Sequence, residues 1–158
     1  MKVLATTAGL VAAALVLVAV ASACGSGDEP PAADNDNSTV AGSVRTVETA
    51  GGSYQQVDAA ALQSMLASKD FVFVNVHIPY EGEIEPTDLF LPYDTIDQQL
   101  AELPADKNGK IVLYCRSGRM SAIAAEVLVS RGYTNVWELE GGMIAWAEAG
   151  YPVAEINR

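Results

Sequence analysis

The chain has 158 residues, 20 acidic against nine basic, for a formal charge of −11, and half of its residues are hydrophobic. That is the size of one ordinary domain plus extensions. With no basic patch to displace counterions, nucleic-acid binding is excluded. Two cysteines, Cys24 and Cys115, are too few for a disulfide framework.

The first element is an apolar run, Val3 to Ala21, rich in Ala, Val and Leu and preceded by Lys2. It ends in Ala21-Ser22-Ala23-Cys24, which resembles the lipobox of bacterial lipoproteins, with Ala21 where the family usually has Leu. The resemblance implies cleavage after residue 23, a diacylglyceryl group on Cys24 and an exported, membrane-tethered chain. An uncleaved transmembrane anchor or a simple secretory peptide are the alternatives, and all three place the remainder outside the cytoplasm. From Cys24 onward all 20 acidic residues remain and one basic residue, Lys2, is lost, so the formal charge there is −12. Such a surface repels anionic lipid, which leaves the lipid on Cys24 as the means of membrane attachment.

Residues 24–52 are polar, with Gly, Ser, Asp, Asn, Pro, Thr and Ala and no hydrophobic period. They read as a flexible tether with a reach on the order of 30 Å. The folded domain is expected over 53–158. Tyr54–Val57 is a short strand candidate. Asp58 then caps a helix whose Ala61, Leu62, Met65 and Leu66 make one apolar face. Phe71–Val76 reads as a strand buried on both sides of a parallel sheet. A loop with Pro79, Pro86 and Pro92 follows, and its acidic residues from Glu81 to Asp97 read as a solvated face. Tyr93–Leu103 contains a short helix closed by Pro104, and Asn108-Gly109 turns into the strand Ile111–Tyr114. Ser121–Ser130 is helical with Ser121 as N-cap, and Gly132 follows its end. Asn135–Leu139 is the next strand. Gly141-Gly142 leads into a last helix, Met143–Ala149. Alternating strands and helices predict an α/β fold with a mainly parallel sheet flanked by helices. Trp137 and Trp146 read as packing residues.

Cys115 stands where ligands bind in such sheets, at the carboxyl end of a strand. It opens a glycine-containing loop, Cys115-Arg116-Ser117-Gly118-Arg119-Met120, that runs into a helix. Backbone N–H groups and a helix N-terminus both stabilise an anion there, so this placement makes Cys115 a nucleophile candidate, with a lone core cysteine as the alternative. His77 is the one histidine, and without His or Cys neighbours in sequence no metal site is expected.

These residues carry a family resemblance. Cys115-Arg116-Ser117-Gly118-Arg119, then Arg131-Gly132-Tyr133 with Asn135-Val136, Leu139-Glu140-Gly141-Gly142 and Trp146 together resemble a single-domain rhodanese, over nearly all of Tyr54 to Pro152. The family usually has Asp-Val-Arg where this chain has Asn75-Val76-His77, and Gly-His-Ile where it has Gly82-Glu83-Ile84. The resemblance implies a sulfurtransferase without a cofactor. Cys115 would take a sulfane sulfur from a small anionic donor such as thiosulfate and pass it, as a persulfide, to a thiol or cyanide acceptor. Arg116, Ser117, Gly118, Arg119 and Met120 would bind the substrate, the loop N–H groups cradling the sulfur anion and Arg119 holding the leaving sulfite. A non-catalytic or redox rhodanese-like module that binds sulfur species or a protein partner at the cell surface is the rival reading. A cysteine phosphatase loop carries Arg at the sixth position after its Cys, where this chain has Ser121.

Overall fold

The computed structural model describes residues 42–154. They form a six-stranded sheet in the order β1-β2-β6-β5-β3-β4. The strands are β1 (Val44–Thr49), β2 (Gly52–Val57), β3 (Val72–Asn75), β4 (Leu89–Phe90), β5 (Ile111–Tyr114) and β6 (Val136–Leu139). β1 pairs with β2 antiparallel, and every other pairing is parallel. Three helices cover it: α1 (Ala59–Leu66), α2 (Arg119–Ser130) and α3 (Gly142–Glu148). The fold is therefore α/β with a mostly parallel central sheet flanked by helices.

All four residues of β5 are buried, because helices cover both faces of the strand. Ile111 and Leu113 join Val74, Val136 and the α2 residues Ala124, Ala125 and Leu128 on one side. Val112 and Tyr114 join Phe73, Leu62 of α1 and Met143 and Trp146 of α3 on the other. The Tyr114 hydroxyl accepts from Ile84 N at 3.0 Å and lies 2.6 Å from Thr87 Oγ1, pinning the loop after β3 to β5. Asp58 caps α1 through a 2.8 Å bond from Ala61 N–H.

Three expectations need correction. The tether does not extend to residue 52: Val44–Thr49 is a strand whose six residues pair with β2 across an Ala50-Gly51 turn. It is an edge strand with no fully buried residue, so it lacks the apolar alternation by which strands are recognised. The short helix expected within Tyr93–Leu103 is two single 3₁₀ turns, Ile96–Gln98 and Leu100–Glu102. With Ile96 alone buried in the two turns, there is no apolar face to lengthen into a helix. β4, two residues long, was not foreseen within the proline-rich loop. The apolar run Val3–Ala21, the lipobox at Cys24 and the tether as far as Ala41 lie outside the described residues. Among the described residues no helix is long and apolar enough to cross a membrane.

Candidate active site

Cys115 follows the last residue of β5, and the chain then turns through Arg116, Ser117 and Gly118 into α2. Gly118 has φ +85°, a left-handed conformation that turns its N–H back toward the sulfur. That N–H donates to Cys115 Sγ at 3.1 Å. The N-terminus of α2 thus faces the thiol, and its partial positive charge favours an anion there. The residue itself is 1 % exposed, which favours small reagents over folded partners.

The loop is held from behind by α3. Met143 N donates to Cys115 O at 2.9 Å, and Ile144 N to Arg116 O at 3.0 Å. This contact needs the glycine pair. A Cβ on Gly142 would lie 2.2 Å from Cys115 O, so no larger residue fits without moving the loop.

The predicted binding residues divide into two groups. Gly118 turns its N–H to the sulfur, whereas the Arg116 side chain is engaged by Glu81. Arg116 is largely exposed and forms an ion pair with Glu81, Nε to Oε2 at 3.0 Å. It borders a groove of about 280 Å³ lined also by Met143, Ile144, Ala147 and Val153. Arg119 is exposed in the first turn of α2, and Ser117 is exposed on the loop. Met120 is half-buried, with Sδ 3.3 Å from Nδ1 of His77.

His77 sits beside the loop and is buried. Its Nε2 lies 3.3 Å from Glu81 Oε2, so His77 and Arg116 share one carboxylate. Asn75 sets this geometry: its Oδ1 accepts from His77 N at 3.0 Å and its Nδ2 donates to Gly82 O at 2.9 Å. The two departures from the family pattern are thereby tied together by one buried amide.

Two site residues were misjudged or missed. Ser121 is not the N-cap of α2, which begins at Arg119 after Gly118. Because the helix starts two residues early, Ser121 falls in its first turn and faces inward. Its Oγ lies 3.4 Å from Cys115 Sγ, 3.0 Å from Gly118 O and 2.7 Å from Glu138 Oε1. Glu138, on β6, was not anticipated at all. It is fully buried and accepts a second bond from Gln56 Nε2 at 2.6 Å. Burial pushes its carboxyl up to about 7, against the pull of the bonds from Gln56 and Ser121. A signal for it exists: strand alternation puts Glu138 on the same face as Val136, a core position where an ionisable residue is rare.

A strand, a cysteine loop and a helix N-terminus, held by this clamp, enclose Cys115 in an α/β domain. The rhodanese-like domain model matches residues 58–149, and the chain belongs to that family. It is similar to a sulfurtransferase of Allochromatium vinosum, 38% identical over 102 residues that cover 62% of this chain and 92% of that protein. It is 34% identical over 117 residues to a tRNA uridine(34) hydroxylase of Escherichia coli, covering 68% of this chain but only 33% of the relative. Among solved structures it resembles a rhodanese-related protein of Thermoplasma volcanium, with a TM-score of 0.54 and 30% identity over 63% of this chain and 96% of that one.

Proposed function

We propose that this protein is a sulfurtransferase that moves a sulfane sulfur through a persulfide on Cys115. The observation that carries the reading is the Gly118 N–H aimed at Cys115 Sγ from the start of α2. The Cys115 thiolate attacks the outer sulfur of a thiosulfate-like donor. The donor's S–S bond breaks, sulfite leaves with the electron pair, and Cys115–S–S⁻ remains. A nucleophile such as cyanide or a thiol then attacks the terminal sulfur and restores the thiolate. Loop N–H groups from Arg116 to Met120 hold the anion formed at each stage. Arg119, exposed and close in sequence to the loop, is the side chain for the sulfite group, with Arg116 and Ser117 assisting. Similarity to the Allochromatium sulfurtransferase supports this class of reaction. The test is thiocyanate formation from thiosulfate and cyanide: Cys115→Ser should abolish it while the chain stays folded, and an unchanged rate in that variant ends the nucleophile assignment.

A second reading, a module that binds sulfur species or a partner without turnover, is favoured by two observations. Cys115 is buried, and Arg116 is already paired with Glu81. It requires that no persulfide accumulate on Cys115.

We further propose that the domain is held on the extracytoplasmic side of a membrane by lipid on Cys24, on the support of Ala21-Ser22-Ala23-Cys24 after an apolar run. Cys24→Ser should move the protein from the membrane fraction to the soluble one. Retention in the membrane fraction would favour the uncleaved anchor instead.

A further inference from the structure

The sulfur-transfer scheme leaves Glu138 without a task, although it is the one fully buried carboxylate among the described residues. It reaches the cysteine through a single hydroxyl. Ser121 Oγ has one hydrogen and three acceptors around it: Glu138 Oε1 at 2.7 Å, Gly118 O at 3.0 Å and Cys115 Sγ at 3.4 Å. When Glu138 is ionised, its carboxylate is both the nearest and the strongest acceptor and holds that hydrogen. When Glu138 is protonated, its own O–H donates to Ser121 Oγ. The serine hydrogen is then free to turn to the sulfur, where it adds a second donor to the Gly118 N–H at 3.1 Å.

We propose that Glu138 is a positioning residue that gates the charge on Cys115: the thiolate forms readily while Glu138 holds a proton and Ser121 points at the sulfur, and is suppressed when Glu138 is ionised. This rests on the reading of Cys115 as the reacting group. Two like charges joined by one hydroxyl in a buried site oppose each other, so the cluster carries one negative charge at a time near neutrality. That charge sits either on the Glu138 carboxylate with a Cys115 thiol or on the Cys115 thiolate with a Glu138 carboxylic acid. Moving one proton through Ser121 interconverts the two forms. The raised proton affinity of Glu138 fits this exchange, since it brings a carboxyl closer to a thiol in basicity.

The other charged and titratable groups around Glu138 are few. Arg45 on β1 favours its ionisation and Glu140 opposes it, but these two pair with each other at 2.9 Å and are more than half exposed, so solvent screens both. Tyr54 on β2 is held neutral by burial and by the charges of Glu138 and of Glu126 on α2. Cys115 is left as the buried partner.

The test is the pH dependence of iodoacetamide alkylation of the full chain, followed by mass at the peptide containing Cys115. In the native protein the rate should climb with pH in two steps separated by a shelf. In Glu138→Gln, whose amide can donate to Ser121 at every pH, it should climb in one step and be about tenfold faster at pH 8. The same two steps in the variant, or an equal or slower rate at pH 8, would overturn the proposal. If Glu138→Gln does not fold, infrared titration of the unaltered chain decides. The protonated-carboxyl band should vanish in two steps in the native chain and in one step in Cys115→Ser, and an identical course in both would overturn it. Neither readout requires sulfur transfer, so the gate and the sulfurtransferase reading can fail separately.

Discussion

At the residue scale, Glu138 makes stability depend on pH in a direction opposite to the surface carboxylates. Its folded pKa, about 7, lies above the ordinary 4.5 because burial penalises the charged form. The folded state therefore binds this proton more tightly than the unfolded state does. The contribution is complete below pH 4.5 and is lost as pH rises through 7, a change of up to about 3 kcal/mol. Asp70 and Asp97 are held below their ordinary range by bonds from Lys110 and Arg131, and they lose their contribution only in stronger acid. Urea unfolding of the native chain should accordingly show stability falling between pH 5 and pH 7.5, and Glu138→Gln should flatten that slope. A native chain whose stability is level or rising over this range would mean that Glu138 ionises normally. Cys115 and Gly118 were legible in the sequence because a β-branched run followed by a short glycine loop and a helix signal has few other readings. Ser121 was not, and Glu138 was marked only by its place on a core face of β6, not as a partner of the cysteine loop. Their partnership crosses 17 positions and depends on α2 starting at Arg119, and no local pattern marks either feature.

At the scale of elements, the strands and helices that carry the site were the most legible. β5 was placed at its observed ends, since its four apolar residues are bounded by Asn108-Gly109 on one side and the cysteine loop on the other. α1 was signalled by its Asp58 cap. What escaped were pieces stabilised by pairing rather than by burial: β1, exposed along most of its length, and the two residues of β4. β1 has a definite task. It covers the free edge of β2, which would otherwise present unpaired N–H and C=O groups to other chains. It also carries Arg45, whose Nη2 donates to Glu140 Oε1. A chain beginning at Ser53 should therefore melt at lower temperature and self-associate, as light scattering would register. A monomer of unaltered melting temperature would show that β1 is dispensable.

At the scale of the whole molecule, charge bears on how the proposed thiosulfate-like donor would arrive. The chain carries a formal −11, and thiosulfate is a dianion, so their long-range interaction is repulsive and the work of attraction falls to the loop amides and the nearby arginines. Screening should relieve the repulsion. On this account kcat/KM for thiosulfate rises several-fold as ionic strength increases from about 0.01 M to 0.15 M, over which the Debye length shrinks from about 30 Å to 8 Å. A fall with added salt would mean that a local positive field at Arg116 and Arg119 dominates the approach.

The persulfide on Cys115 is the centre of the account, and intact mass spectrometry of the reduced protein before and after thiosulfate tests it most directly. The account predicts a gain of one sulfur atom, removed by cyanide and absent in Cys115→Ser. A mass that does not change with thiosulfate or with any other sulfane-sulfur donor would contradict it and leave a binding module in its place.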